Sequence, residues 1–316
     1  MTLNVRKTLE RVFAAGAIAA VAYFLYRAFR LNWHSIQSYD FQFNVGFMLL
    51  SLACVVSSGF LATYTWYVSM NALSVTGKLS FGQSVAAVNA SGLTKYVPGK
   101  VWSYALQMYW LAAAGFAKSL VAFVNLLNLY ISLVSAVAVA LFALLLARTP
   151  FPFSLILAAL IVLLLADYCS MRFYSPVFGF LVRLLSRTLK RDIQFFELPP
   201  ALVLRLHAAH TLAALAIGAA SYFVCLGIGY QISVEEVPLV LAAALLAEVG
   251  GFLAVFVPGG LGVRESIMYV LLGGSAKGAI ALVLPLASRF VGMLADVLLG
   301  ALALAMLRQL RPRQLS

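Results

Sequence analysis

Charge is scarce in this chain. Asp, Glu, Lys and Arg together make up 10% of its 316 residues, while 64% are hydrophobic. No polar stretch is long enough to form a separate soluble domain, so residues 1–316 read as a single membrane domain with short loops. Cysteine is rarer still. Cys54, Cys169 and Cys225 stand singly in apolar runs without CxxC spacing. That argues against a disulfide framework and a cysteine zinc site and leaves small packing residues. Signatures of catalysis are missing as well. There is no Walker A loop, no nucleophile elbow and no HExxH, and the 10 acidic residues are scattered rather than clustered. The composition gives no reason to expect an enzyme, a cofactor or a bound metal.

What the sequence does have is apolar length. Helical runs near the roughly 20 residues that cross a bilayer lie at about 12–26, 45–70, 119–147, 155–171, 208–230 and 279–307. The first lacks a small-residue cleavage site and ends in Tyr26-Arg27-Ala28-Phe29-Arg30, so it reads as a retained helix. Two further apolar stretches, about 81–115 and 237–274, are each split by a Pro-Gly segment. These are Lys95-Tyr96-Val97-Pro98-Gly99-Lys100 and Phe256-Val257-Pro258-Gly259-Gly260-Leu261-Gly262-Val263-Arg264-Glu265. Broken backbone at bilayer depth persists only where it is buried in protein or lines a polar cavity. The expected fold is an all-α integral membrane protein with about six spanning helices and two broken, re-entrant hairpins.

The net charge of +12 does not point to nucleic acid, because no soluble face exists to carry a basic patch. Basic residues cluster at Arg6, Lys7 and Arg11, from Arg172 to Arg205, and at Arg308, Arg311 and Arg313. The opposite loops hold Arg27, Arg30, Arg148 and Lys277, with the acidic pair Glu235 and Glu236. The positive-inside rule then places both termini in the cytoplasm, with basic flanks beside anionic headgroups. Counting crossings from there, the first hairpin enters from the cytoplasm and the second from the opposite side. The order helix, helix, broken hairpin, helix occurs twice in opposite orientation. This is an inverted-topology repeat, about 1–150 and 151–316, an arrangement suited to alternating access around a midplane site. Between the halves, the basic amphipathic segment 176–191 reads as an interfacial linker helix, its Arg183, Arg187, Lys190 and Arg191 facing lipid phosphates.

In the first hairpin, Asn89, Ser91, Gly92 and Thr94 are small or polar and suit close helix packing. Pro98 ends one limb, because the residue before a proline is pushed out of the helical region. Gly99 permits the sharp turn, and helix restarts around Trp102. A restarted helix presents unpaired N–H groups and the positive end of its dipole, an anion site flanked here by Lys95 and Lys100. The same two lysines are also placed to snorkel to the interface.

The second hairpin is more specific. Glu248 sits in its first limb, where an unpaired carboxylate is costly. Pro258, Gly259, Gly260 and Gly262 allow close backbone approach. Glu265 suits the N-terminal turn of the following helix, whereas Arg264 there asks for an anionic partner: Glu248, Glu265 or a lipid phosphate. Arg289 and Asp296, seven residues apart on one face of the last helix, read as an ion pair or as separate partners across helices. Asp296, Glu248 and Asp167 are the acidic groups available for proton coupling. His207 and His210 read as interfacial or packing histidines, and Trp33, Trp66, Trp102 and Trp110 mostly as interface anchors. The small-residue face Gly218-Ala219-Ala220-Ser221 suits packing within the chain or between subunits.

Residues 92–102, Gly-Leu-Thr-Lys-Tyr-Val-Pro-Gly-Lys-Val-Trp, and 257–265, Val-Pro-Gly-Gly-Leu-Gly-Val-Arg-Glu, resemble the two signature segments of the lysylphosphatidylglycerol synthetase transmembrane-domain family. That family includes stand-alone, flippase-like proteins of about this length in bacteria and archaea. The resemblance implies a multi-pass protein of the cytoplasmic (inner) membrane that moves aminoacylated phosphatidylglycerol, other anionic phospholipids or polyprenyl-phosphate-linked sugars between leaflets. The cytoplasmic aminoacyltransferase domain that follows the membrane part in full-length synthetases has no counterpart in these 316 residues. Synthetase activity is therefore not expected.

On this reading a lipid phosphate sits between the two hairpin tips, against Lys95, Lys100, Arg264 and Arg289, with backbone N–H groups around Pro98-Gly99 and Gly259–Gly262. The expected partners are membrane lipids, together with a second copy of the chain or a lipid-modifying enzyme. Two other classes fit the same residues: a lipid-binding accessory or enzyme subunit of envelope-lipid synthesis, and a secondary transporter of a soluble anion.

Overall fold

The computed structural model describes residues 42–96, 102–189, 196–254, 257, 260, 262–273 and 279–306, and residues 26, 30, 34 and 37. Side chains of 95, 96, 173, 175–189 and 279 are outside the description. The elements are α1 Val45–Leu73, α2 Phe81–Gly92 with a 3-10 turn Leu93–Tyr96, α3 Trp102–Ala113, α4 Lys118–Leu146 and α5 Phe153–Leu189. They continue with α6 Pro200–Gly227, α7 Val237–Leu253, α8 Val263–Leu271 and α9 Ala279–Met306. Among the described residues there is no strand. Five helices are long and apolar enough to span a bilayer: α1, α4, α5 over Phe153–Arg172, α6 and α9 over Ile280–Met306. The protein is a multi-pass, all-α membrane protein. The first apolar run, 12–26, falls almost wholly outside the described residues.

Local chemistry sets the element boundaries. The Asn44 side chain accepts from the Phe47 N–H at 3.3 Å and caps α1. Ser80 and Gln83 form a reciprocal capping box that starts α2. Pro200 and Pro238 sit in the first turns of α6 and α7, where a missing N–H costs nothing. Helix α5 runs unbroken from Phe153 to Leu189, 37 residues, or about 55 Å at 1.5 Å per residue. Segment 176–191 therefore begins as a continuation of the spanning helix rather than as a separate linker helix.

The two halves pack in matching patterns. Helices α1 and α6, the first spanning helices around each hairpin, lie antiparallel: Asn44 N donates to Gly227 O at 2.9 Å and the Ser51 hydroxyl to Ala220 O at 2.9 Å. Phe47 stacks on Phe223 between them. The last helix of each half packs against the first limb of the other half's hairpin, α4 on α7 and α9 on α2. Exchanging α1 with α6, α2 with α7, α3 with α8 and α4 with α9 leaves this scheme of neighbours unchanged.

Each hairpin returns to the end from which it entered. Helix α2 starts where the Asn71 amide holds Leu79 N and O at 2.7 and 2.9 Å. Deeper in, Asn89 donates to the Thr63 hydroxyl at 3.0 Å, about 12 Å further along α1. The chain then comes back, with Gln107 donating to the Ser91 hydroxyl at 2.8 Å and Phe116 packing in one buried cluster with Leu79. The second hairpin enters beside Tyr230, whose hydroxyl donates to Glu236 at 3.2 Å, and returns to Leu272, which packs with Val240 and Ile228.

Candidate functional site

The second hairpin builds its tip from glycines. Gly260 has φ +66, and a Cβ there would lie 2.7 Å from Gly251 O. Gly262, with φ 76, precedes the first turn of α8 in the left-handed region. A Cβ on Gly251 would meet the Arg264 side chain at 2.3 Å. The two limbs thus touch backbone to backbone, and Arg264 lies across the glycine of the first limb. This is the close approach that the Gly-rich run implies.

Four charges gather at this tip. Arg264 Nη1 donates to Glu248 Oε1 at 2.5 Å, bridging the limbs on either side of the break. Arg289 Nη1 of α9 donates to Glu265 Oε1 at 2.7 Å. The inner pair is well buried, its side chains 17% and 6% exposed, whereas 46% of the Glu248 side chain is open. Around the four lies a cavity of about 70 Å³, lined also by Ser51 and Val55 of α1, Ser221 of α6, Met268 of α8, and Pro285 and Ser288 of α9. Both halves contribute to it through α1 and α6.

The site is charge-balanced, two arginines against two carboxylates, but not closed in hydrogen bonding. Arg264 Nε, Glu265 Oε2 and Ser288 Oγ are buried without a partner among the described residues. An orphaned buried polar group costs about 1–3 kcal/mol, so three at one cavity mark a place for a polar guest. At about 10–15 Å³ per water, the cavity holds several waters or one small polar group. The set can bind a guest carrying acceptors for Arg264 and a donor for Glu265.

The sequence-predicted residues divide clearly. Glu248, Arg264, Glu265 and Arg289 converge, and Gly260 and Gly262 shape the tip above them. Lys95 contributes its backbone to the 3-10 turn, while its side chain, Pro98, Gly99, Lys100, Pro258 and Gly259 lie outside the described residues. Of the two expectations for Arg289 and Asp296, an ion pair with each other or separate partners across helices, the structure shows Arg289 of α9 paired across helices with Glu265 of α8. Asp296 lies two turns further along α9, outside the cavity lining, near Gly300, which packs on Leu93 of the first hairpin. The small-residue face of α6 works within the chain. Gly218 receives Leu241 of α7, and Ser221 lines the cavity.

A neutral hydrogen-bond network joins α1, α4 and α6: Trp66 Nε1 donates to Asn125 Oδ1 at 3.2 Å and Asn128 Nδ2 to Ser69 Oγ at 3.1 Å. His210 Nε2 faces Asn128 Oδ1 at 3.3 Å. Asn128 also donates to Val124 O at 2.9 Å, so its amide nitrogen is committed and its oxygen is left for the histidine. Trp66 is 3% exposed and belongs to this network, not to the membrane interface as its residue type suggests. Among the described residues, no group of three or more metal-ligating side chains occurs. Neither a family model, nor a curated protein, nor a solved structure matches this chain.

Proposed function

We propose that this protein is a lipid translocase that carries a phosphate-bearing headgroup between leaflets by alternating access, with its site at the tip of the second hairpin. The observation that carries this reading is the Glu248–Arg264–Glu265–Arg289 cluster around a cavity inside a bundle of spanning helices. Charge at that depth is expensive and is kept for substrates, ions and coupling. Arginine matches phosphate with a planar donor fork, and the first turn of α8 adds N–H donors beside it. Headgroup phosphate takes the place of the Glu248 carboxylate on Arg264, whose outer position leaves it open to exchange. The matching packing of the halves supports rocking of one against the other.

The resemblance of 92–102 and 257–265 to the lysylphosphatidylglycerol synthetase membrane domain narrows the cargo. It points to an anionic phospholipid, an aminoacylated phospholipid or a polyprenyl-phosphate lipid in a bacterial or archaeal cytoplasmic membrane. Lys95 and Lys100 supply a second phosphate contact in the same reading, and both termini face the cytoplasm.

Native mass spectrometry of the detergent-purified protein tests the binding step. Wild type should retain phosphate-bearing lipid in the presence of millimolar inorganic phosphate, and Arg264→Ala should retain about tenfold less, a loss of about 1.4 kcal/mol. Equal retention by both would overturn the site. Displacement of lipid by inorganic phosphate would favour a transporter of a soluble anion.

A further inference from the structure

The charged cavity has an exposed side and a buried side, and the two differ in chemistry. On the exposed side Arg264 Nη1 meets Glu248 Oε1 at 2.5 Å, with 33% and 46% of the two side chains open. On the buried side Arg289 Nη1 donates to Glu265 Oε1 at 2.7 Å, and the Glu265 side chain is only 6% exposed. The second oxygen of that carboxylate, Glu265 Oε2, is buried without a partner among the described residues. So are Arg264 Nε and Ser288 Oγ. All three residues line the same cavity. Chain connectivity keeps them together. Arg264 and Glu265 are neighbours in the first turn of α8, and Ser288 directly precedes the Arg289 that bonds Glu265.

These orphaned atoms define the guest that completes them. Arg264 Nε–H is a donor, Glu265 Oε2 is an acceptor, and the Ser288 hydroxyl serves as either. A hydroxyl group brings one donor and two acceptor lone pairs, so one hydroxyl, or two on adjacent carbons, can answer all three. An ionised phosphate oxygen has no proton for Glu265 and meets it with like charge. An ammonium group donates to Glu265 but leaves Arg264 Nε unserved. It also adds a positive charge beside two arginines that cannot give up theirs. The two arginines and two carboxylates already sum to zero, so a neutral guest buries no uncompensated charge. The cavity of about 70 Å³ has room for roughly five water-sized groups, enough for the outer carbons and hydroxyls of a glycerol.

We propose that the buried side of the cavity is a hydroxyl subsite, built from Glu265 Oε2, Ser288 Oγ and Arg264 Nε, that selects phosphate headgroups carrying a polyol end. Phosphate stays on the exposed side of Arg264, and the hydroxyl enters beyond it. The phosphate half of this assignment rests on the translocase reading above, whereas the hydroxyl half rests on the orphaned atoms alone. Ser288 is the specificity residue. A serine within a helix commonly bonds the carbonyl one turn back, but Ser288 Oγ makes no such bond and stays available to a guest.

Native mass spectrometry of the whole protein in detergent tests this with lipids of identical acyl chains. The probes are phosphatidylglycerol, phosphatidylpropanol, which lacks both free hydroxyls, and phosphatidylethanolamine. Wild type should retain phosphatidylglycerol about tenfold better than either of the others, as the loss of a buried hydrogen-bond partner implies. Ser288→Ala should narrow that preference to about threefold or less by lowering phosphatidylglycerol retention, with phosphatidylpropanol unchanged. Removing a buried hydroxyl that has no partner leaves the fold intact, so a purely structural role for Ser288 predicts no change in lipid preference. Equal retention of phosphatidylglycerol and phosphatidylpropanol by wild type, or a preference for phosphatidylethanolamine, would overturn the subsite. So would a preference that survives Ser288→Ala undiminished. Retention of none of the lipids would overturn the subsite and the lipid reading together. The expected preference with undiminished retention by Arg264→Ala would count against the phosphate half alone. Displacement of phosphatidylglycerol by millimolar glycerol 3-phosphate would uphold the hydroxyl subsite and assign it to a soluble polyol phosphate rather than a lipid.

Discussion

Arg264 and Glu248 meet at 2.5 Å across the break of the second hairpin, though sixteen residues separate them in sequence. The contact ties the two limbs together and occupies the arginine at the same time, so under the proposed function an incoming phosphate would compete with Glu248 rather than fill an empty site. Glu248→Gln removes the competing charge and keeps the shape. It should tighten headgroup binding by roughly threefold to tenfold, about 1 kcal/mol for a half-exposed pair. Retained lipid, read by mass spectrometry, checks this. Unchanged or weaker binding would mean that Glu248 itself contacts the cargo.

The inner pair behaves differently because it is buried. Glu265→Ala removes the buried carboxylate to which Arg289 donates, and losing one partner of a buried pair costs about 3–5 kcal/mol. The double change Glu265→Ala with Arg289→Met removes both members of the pair and should recover most of that loss. Thermal unfolding in detergent distinguishes the cases: a large drop for the single variant and a smaller one for the double. A double variant as unstable as the single would show that Glu265 has another essential partner.

The hairpin tip should be intolerant of side chains. Gly260→Ala forces a Cβ into the left-handed region, 2.7 Å from Gly251 O. Backbone strain of this kind costs about 1–3 kcal/mol, and relief of it requires the limbs to part. The expected outcome is a lower unfolding midpoint together with weaker lipid retention, because Arg264 rests on the same glycine pair. Gly92, where a Cβ would meet nothing within 4 Å, is the matched control and should accept alanine without loss.

Topology is open to a direct test at two exposed turns. Val75 is 90% exposed at the entry of the first hairpin, and Val234 is 87% exposed at the entry of the second. In a background without Cys54, Cys169 and Cys225, single cysteines at 75 and 234 should be labelled by an impermeant reagent from opposite sides of the membrane. Gly115→Cys, at the exit of the first hairpin, should label from the same side as 75. Labelling of 75 and 115 from opposite sides would mean that the first hairpin crosses the membrane rather than returning.

Much of the fold was legible because spanning length is a local property. The apolar run at 45–70 became Val45–Leu73 and that at 119–147 became Lys118–Leu146, since twenty or so apolar residues leave little choice but helix. The hairpin interruptions were legible for the same reason: proline and glycine act on their own backbone. Partner choice was not local. Arg289 pairs with Glu265, 24 residues away in sequence, because α8 packs on α9. Trp66 looked like an interface residue until α4 placed Asn125 against its ring nitrogen, 59 residues away in sequence. Asp167 and His207 come within 3.0 Å of each other from different helices. No spacing rule connects them, and only the crossing of α5 and α6 does.

The claim at the centre of this account is movement of lipid through the Arg264 site. Leaflet-resolved transport in proteoliposomes, with fluorescent anionic phospholipids, aminoacylated phospholipids and polyprenyl phosphates presented in parallel, measures it directly. Wild-type protein should move at least one of these classes, and folded Arg264→Ala should move it no faster than protein-free liposomes. Equal rates for wild type and Arg264→Ala, or no movement of any class by wild-type protein that still binds lipid, would contradict it.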